Sequence, residues 1–572
     1  MARSTIEQRS NPLHCSIVLA AVMSSTALNG CAGADVRQEP NELATSTDSS
    51  LSAKSSDPSV VQVATGSIRG NVESAYRQFL GIPYAAAPTG SLRWKPPQPA
   101  PAWRGVRDAS IPKDMCPQYS YTGPGVASVG GNEDCLVLNV TTPNKPTLRR
   151  LPVMVWIHGG EYTNGSGVDQ DGSWLVQKAD VVVVTINYRL GALGFLAHPA
   201  LTAESRDNSG NFGLLDQQAA LAWVKANIVQ FGGDPNNVTI AGVSAGGNSV
   251  WAHMISPKSA GLFQHAISIS GLWVTNWNWM GYDEPAQPFK LSDAEATGTR
   301  FAQAIGCTGS DRSVAKCLRN TTVADLVATG GGDFGPMYYK WGPTAGGAIM
   351  PRQLKEALNV GAFNRVPIIN GSTHDESAPY VMMSFWMYMN NPLTPEVYAQ
   401  TLQQRFGDDA STVQARYSID AYGSATYAYS AVDTDLQNSC YSRTINGLAA
   451  AYTKVYAYEF NDPNAPSSSW AMVFGGPLPY APRAYHASDV QYVFPSPNNT
   501  EGFTPEQIQL SGGMIGYYTS FAKSGVPQGQ TTWLPYDRTV DAVQLLAPDA
   551  IAPITSFASD HQCAFWAKLR GI

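Results

Sequence analysis

The 572-residue chain is poor in charge. Asp, Glu, Lys and Arg make up only 14% of it, against roughly 25% in an average globular protein. Lys and Arg number 37 against 44 Asp and Glu, a net charge of −7 with histidine neutral. A chain without a basic surplus has little with which to neutralise phosphates, which argues against nucleic-acid binding. Long apolar runs are missing too: no stretch reaches the roughly 18 residues that a conventional membrane-spanning helix needs. There is no Cys-x-x-Cys pair and no Cys/His cluster, which speaks against a structural zinc module. Internal repeats are absent as well. What is present is a hydrophobic fraction of 44%, with 52 Gly and 39 Pro. That combination describes a large, loop-rich folded protein rather than a disordered or coiled-coil one. Length alone would allow about four domains.

Residues 1–34 read as an export signal. Arg3 and Arg9 precede a short apolar stretch from Cys15 to Met23, and small residues follow near Gly30. A charged start, a short apolar middle and a small-residue end are the marks of a signal peptide. Two endings fit. Leu28-Asn29-Gly30-Cys31 resembles a bacterial lipoprotein box, which would make Cys31 a lipidated anchor. Ala32-Gly33-Ala34 is a small-x-small cleavage site that would discard it. Residues 35–58 are rich in Ser, Thr, Asp, Glu and Pro without an apolar period, and read as a flexible linker. The folded body is expected over 59–572, and the protein is expected to be periplasmic, tethered to the outer membrane, or secreted. Cysteine usage agrees: of eight Cys, six lie beyond the leader, and an even number in an exported chain favours disulfides. Sequence neighbourhood suggests Cys116–Cys135 and Cys307–Cys317, leaving Cys440 with Cys563.

The body alternates strand-like and helix-like segments. Val60 to Val63 and Gly66 to Gly70 suggest an antiparallel hairpin. Leu151 to Ile157, Val181 to Asn187 and Asn237 to Gly242 are short apolar runs bounded by turn residues, as buried strands are. Leu214 to Val229 has helical spacing, with Gly232-Gly233-Asp234-Pro235 as its stop. A helix is expected from Ala245 to Ile255, and later strands at Val366 to Asn370 and Val455 to Phe460. Strand and helix in alternation imply a mostly parallel central sheet covered on both faces.

Gly242-Val243-Ser244-Ala245-Gly246 matches G-x-S-x-G, directly after a strand and before a helix. A turn that tight strains the serine backbone and needs glycine on both flanks. It presents the Ser244 oxygen above the sheet at a helix N-terminus, where negative charge is favoured. A serine nucleophile needs a base. The eight histidines are His14, His158, His198, His253, His265, His374, His486 and His561. In this arrangement the chain order is Ser, acid, His. His14 lies in the leader, His158 and His198 precede Ser244, and His253 and His265 follow it too closely. Of the remaining three, His486 sits in a loop before an apolar segment and leaves room for an acid upstream. Asp375 or Glu376, just after a strand end, supplies one, and spacing alone does not choose between them. Ala245 offers one N–H to an oxyanion. His158-Gly159-Gly160-Glu161, the loop after a strand, has glycines that let further backbone donors approach.

Together these residues resemble the type-B carboxylesterases, the family of the cholinesterases and para-nitrobenzyl esterases. The likeness runs from about residue 60 to the C-terminus. It includes Phe79-Leu-Gly-Ile-Pro-Tyr-Ala85, Glu133-Asp-Cys-Leu-Val-Leu-Asn139, Asn187-Tyr-Arg-Leu-Gly-Ala-Leu-Gly-Phe195, Asn211-Phe-Gly-Leu-Leu-Asp-Gln217, Phe231-Gly-Gly-Asp-Pro235 and Phe521-Ala-Lys-Ser-Gly-Val-Pro527. The resemblance implies one α/β-hydrolase body with long insertions forming a gorge or lid, and no cofactor or metal. It implies Ser244, Glu376 and His486 as the triad, and Gly160, Glu161 and Ala245 as oxyanion donors. It also supports the three cysteine pairs and implies a structural pair between Arg93 and Glu133. The expected activity is hydrolysis of carboxylic esters. The alternatives are a hydrolase of amides or carbamates, or a non-catalytic binding protein of the cholinesterase type.

Three positions depart from the family pattern. Val243 replaces a Glu before the nucleophile, Glu161 stands where a third glycine is usual, and Ser377 replaces the Gly after the acid. A carboxylate beside a developing oxyanion hurts unless it points away, so Glu161 is expected to compensate in part for the carboxylate lost at Val243. Leu272 to Met280 and Tyr380 to Met389 are rich in Trp, Met and Phe. As adaptable apolar walls beside the triad, they would favour a small-molecule ester with an apolar or aromatic part.

Overall fold

A computed structural model describes residues 57–572 except 124–125, 146, 206, 272–287, 331–340, 389–391, 469–470, 472–476 and 497–499. The leader with Cys31, nearly all of the linker, and the Leu272 to Met280 stretch lie outside the described residues. The opening hairpin forms, Val60–Val63 pairing antiparallel with Gly66–Arg69.

The main sheet has eleven strands. In chain order they are β1 (Asn71–Val72), β2 (Tyr76–Pro83), β3 (Val137–Pro143), β4 (Leu151–Ile157), β5 (Val182–Ile186), β6 (Gly233–Val243), β7 (His265–Ile269), β8 (Ile368–Thr373), β9 (Val455–Phe460), β10 (Val543–Ala547) and β11 (Ala550–Ile554). They lie in the order β1-β2-β3-β5-β4-β6-β7-β8-β9-β10-β11. Every pairing from β5 through to β10 is parallel. The antiparallel pairings are confined to the two flanks. This is the mostly parallel sheet read from the sequence.

Strands β4, β5 and β9 are buried over their whole length, which is why they read as unbroken apolar runs. Within β4 the period of two sends Val153, Val155 and Ile157 into one core and Met154 and Trp156 into another. Helices α1 (Phe212–Asn227) and α2 (Ala245–Ile255) pack into the first core through Leu221, Val224, Trp251 and Met254. Helix α3 (Pro505–Ser524) packs into the second through Leu510, Met514 and Phe521.

Several boundaries differ from the sequence reading. Strand β6 already begins at Gly233, not Asn237, so part of the expected helix stop lies in the strand. Two further differences have local reasons. Helix α1 ends at Asn227 and passes into a 3-10 turn over Ile228–Phe231. That turn is closed by Gly232 at φ 86°, whose N–H reaches the carbonyls of Ile228 and Val229. Strand β8 starts after Pro367, whose nitrogen has no hydrogen for the ladder. It runs on past Asn370 because Ser372 and Thr373 pair with Glu459 and Phe460 of β9.

The three disulfides are Cys116–Cys135, Cys307–Cys317 and Cys440–Cys563. Arg93 and Glu133 form a two-pronged ion pair, Nε to Oε1 at 2.6 Å and Nη2 to Oε2 at 2.7 Å. Two of the quoted motifs meet in a second one. Arg189 bonds both oxygens of buried Asp216 at 2.7 Å, tying the loop after β5 to α1. Residues between β8 and β9 build most of a third core around Tyr398, Leu402 and Tyr429. The Tyr380 to Met389 stretch sends Val381 and Phe385 into that core, so part of this expected pocket wall is structural.

Candidate active site

The carboxyl ends of β4, β6, β7 and β8 share one edge of the sheet. The ladders align Gly242 with Ile157, Val243 with Ile269, and Ile269 with Gly371. In open parallel sheets this is the edge where ligands bind. The loops that leave it carry His158-Gly-Gly-Glu161, Ser244, Ser270 and Glu376.

Ser244 stands between β6 and α2 at φ 58° and ψ −124°, a region that costs a non-glycine residue about 1–3 kcal/mol. Neighbouring backbone enforces it. The Ser244 N–H donates to the Ile269 carbonyl at 2.9 Å, and the Asn248 N–H to the Ser244 carbonyl at 2.8 Å. The flanking glycines answer to crowding. A Cβ on Gly246 would lie 2.0 Å from the Ile157 carbonyl oxygen, and one on Gly242 would lie 2.6 Å from the Gly246 backbone. Any larger residue at either position would push the helix off the strand. Ala245 is the first residue of α2, so its N–H belongs to the positive end of the helix.

The loop after β4 closes against this turn. A Cβ on Gly159 would meet the Val243 carbonyl at 2.8 Å and the Ser244 Cβ at 3.1 Å, so only glycine lets the two loops come this close. Gly160 adopts φ 90°, and Glu161 and Tyr162 follow at φ 49° and 60°. The loop takes a left-handed turn at Glu161, a conformation that favours glycine. The Gly160 carbonyl holds it by accepting the N–H groups of Thr163 and Asn164 at 2.8 and 3.0 Å.

Glu376, not Asp375, meets His486. His486 Nδ1 lies 2.6 Å from Glu376 Oε2; a carboxylate only accepts, so Nδ1 donates and a neutral ring carries its lone pair on Nε2. The other oxygen, Oε1, accepts the Thr373 N–H at 2.8 Å and the Ser270 hydroxyl. Both side chains are buried. Asp375 turns instead toward His374, Oδ2 to Nδ1 at 3.2 Å. Tyr380 lays its ring 5.2 Å from that of His486.

The other histidines serve elsewhere. His253 is buried, bonded to Ser259 Oγ and Gln217 Oε1, and burial pushes it down to about 3, so it stays neutral. His158 is stacked on Tyr188 at 4.4 Å, and burial lowers it to about 4. His198 caps a short helix by accepting the Ala200 N–H. His561 is held between Asp435 and Glu459.

Two residues escaped the sequence reading. Ser270, at φ 47°, matters only because β7 lies between β6 and β8, a neighbourhood that no local pattern announces. Asp489 is wholly buried three residues after His486, with its Oδ2 accepting the Tyr458 hydroxyl at 2.7 Å. Burial above all, with the charge of Glu376 adding to it, pushes the Asp489 carboxyl up to about 7, against the opposing pull of Tyr458 and His486. In the unfolded chain the group ionises near pH 4. Between about pH 4 and 7 the folded protein therefore keeps a proton that the unfolded chain has released, and stability falls as pH rises through that window. Asp489→Asn is neutral throughout. Its thermal midpoint should rise relative to wild type from pH 5 to pH 8, by on the order of a few degrees at the alkaline end. Differential scanning fluorimetry across that range reads it, and parallel profiles for the two proteins would refute the assignment.

Comparison with known proteins identifies the family and the fold. The model of the carboxylesterase family matches residues 57–566. The chain is 34% identical over 513 residues to the fumonisin B1 esterase of Sphingopyxis macrogoltabida, covering 85% of this chain and 86% of that one. It is 32% identical over 504 residues to the para-nitrobenzyl esterase of Bacillus subtilis (strain 168), covering 83% and 92%. A solved structure of PNB esterase superposes with a TM-score of 0.69 at 30% identity, covering 88% of this chain and 99% of the other. The fold is therefore the α/β-hydrolase fold, and the chain belongs to the carboxylesterase family, the hydrolases of carboxylic esters.

Proposed function

We propose that this protein cleaves small-molecule carboxylic esters through an acyl-enzyme on Ser244. The observation that carries the reading is the 2.6 Å contact of His486 with Glu376 at the sheet edge that also bears the strained Ser244 turn. His486 Nε2 takes the Ser244 proton as Oγ attacks the acyl carbonyl, then gives that proton to the departing alcohol. Water, deprotonated by the same nitrogen, releases the acid and restores the serine. Glu376 keeps the imidazole in the productive tautomer and stabilises the imidazolium. The N–H groups of Ala245, Gly160 and Glu161 receive the oxyanion, where one such donor is worth about 10²–10³ in kcat. Tyr380 beside His486 supports a substrate with an apolar or aromatic part. The test is hydrolysis of p-nitrophenyl esters of short to medium acyl chain by wild type and Ser244→Ala side by side; activity retained in the variant overturns the reading.

Glu161 sharpens the proposal. At φ 49° its backbone conformation costs about 1–3 kcal/mol that glycine would not incur. Glu161→Gly should therefore fold at least as stably as wild type. If the carboxylate compensates for the one missing at Val243, kcat should still fall by about tenfold, the scale of roughly 1.4 kcal/mol of lost transition-state stabilisation. Equal or faster turnover in the variant would sink that role.

We infer further that the protein works outside the cytoplasm, exported by the leader at 1–34. The three disulfides support this, since such bonds persist in oxidising compartments. A mature protein carrying lipid on Cys31 would show it as added intact mass in mass spectrometry; a chain beginning after Ala34 would exclude the anchor.

A further inference from the structure

The loop that delivers Glu376 to His486 begins with His374, and His374 belongs to a second group of ionisable side chains. Glu459 comes from β9, beside β8. His561 comes from the C-terminal segment, which the Cys440–Cys563 disulfide ties to the residues that follow Asp435. One donor atom from each of His374, Glu459 and His561 lies within 4.8 Å of the others. The ligands are far apart in sequence, so no spacing motif marks them.

The surroundings are built in the way metal-binding histidines are held. Asp435 Oδ1 lies 2.6 Å from His561 Nδ1, which turns His561 Nε2 toward Glu459 Oε1 at 2.5 Å. Asp435 is itself held, its Oδ2 accepting the Tyr417 hydroxyl at 2.8 Å, and Tyr417 accepting the Trp566 indole N–H at 2.6 Å. Asp375 sits 3.2 Å from Nδ1 of His374, leaving Nε2 as the second donor of that ring. A carboxylate on one ring nitrogen fixes the tautomer and raises the basicity of the other, which is the outer-shell arrangement of histidine-ligated metals. The side chains of His561 and Glu459 are only 3% exposed, whereas His374 is 37% exposed, so an ion has a way in past His374.

We propose that His374, Glu459 and His561 bind a divalent transition metal of the zinc type. Two imidazoles and a carboxylate form a ligand set for zinc, with water completing a tetrahedron. Zinc would take the place of the proton that His561 now shares with Glu459, and that proton leaves to solvent. At bond lengths of about 2.0–2.2 Å a tetrahedral site needs donor atoms roughly 3.3 Å apart. His561 Nε2 and Glu459 Oε1 must therefore separate by less than about 1 Å. Three carboxylates, Asp375, Asp435 and Glu459, surround the position, so a dication finds charge to balance it. The ion would join β9, the C-terminal segment and the loop two residues before Glu376, giving it a structural part beside the ester-cleaving site.

The experiment uses the full chain without a polyhistidine tag, stripped with chelator and dialysed. Zinc is titrated calorimetrically, and cobalt by the visible absorption of its ligand field. One metal per chain is expected, with cobalt bands of a low-coordinate nitrogen and oxygen site. His374→Ala, the most exposed ligand, should weaken binding at least 100-fold. Asp375→Asn, which removes only the outer-shell partner, should weaken it about 10–100-fold and covers the case in which the first variant does not fold. A stripped wild type that takes up no zinc overturns the proposal and leaves His561 as an imidazolium clamp between Asp435 and Glu459. So does zinc binding of equal strength in a folded His374→Ala or Asp375→Asn protein.

Discussion

Ser244→Ala is expected to abolish ester hydrolysis, lowering kcat for p-nitrophenyl esters by roughly 10⁵–10⁶-fold, with any residue of rate owed to the oxyanion donors and substrate positioning. The size of the effect follows from the fold. The turn between β6 and α2 positions one side chain at the edge where the Gly159 loop closes on it. The neighbouring serine on that edge, Ser270, is committed to Glu376 through its hydroxyl and cannot substitute. The variant should fold normally. Alanine at φ 58° meets the same backbone strain as serine, and Ser244 belongs to none of the three hydrophobic cores. The thermal midpoint should stay within about a degree or two of wild type, the range of a neutral surface change. Loss of activity with an unchanged midpoint therefore isolates the chemistry; retained activity would mean a different nucleophile.

Glu376→Gln should be nearly as damaging, with kcat falling about 10⁴-fold and KM changing far less. The reason lies in how its two oxygens are used. Oε1 accepts from both the Thr373 N–H and the Ser270 hydroxyl, so a glutamine would keep its carbonyl oxygen there. Its NH2 group would then face His486 Nδ1, now 2.6 Å from Oε2. Two donors cannot face each other, and Nδ1 would have to accept. The ring proton would move to Nε2, the atom that must receive the Ser244 proton, and the base would be in the wrong tautomer. A loss smaller than about tenfold would show that Glu376 only fills space, a distinction that the KM-against-kcat split and the midpoint together can draw.

The local devices of this site were legible in the sequence because local sterics create them. Gly242 and Gly246 announce a turn in which a Cβ has no room, and Gly159 announces a loop pressed against another backbone. Strand and helix were readable where burial on both faces made a run uniformly apolar, as at Leu151–Ile157 and Val455–Phe460. Boundaries were less so, because ladder partners set them. Nothing in β8 itself says that it should run to Thr373, and the Glu459 and Phe460 partners that extend it lie far along the chain.

What the sequence by itself determined was the nucleophile turn, the chain order of serine, acid and histidine, and the family. Each of these is written in a few adjacent residues or in their order. The choice between Asp375 and Glu376 came from the resemblance, since side by side the two offer the same chemistry. Only the tertiary structure separates them physically, turning one toward His486 and the other toward His374. It also brought in Ser270 and Asp489, and it gathered His374, Glu459 and His561 into one group. The physical reason is common to all of them. A hydrogen bond or a ligand set depends on which strand ends and loops share an edge of the sheet, and that adjacency is a property of the whole folded chain.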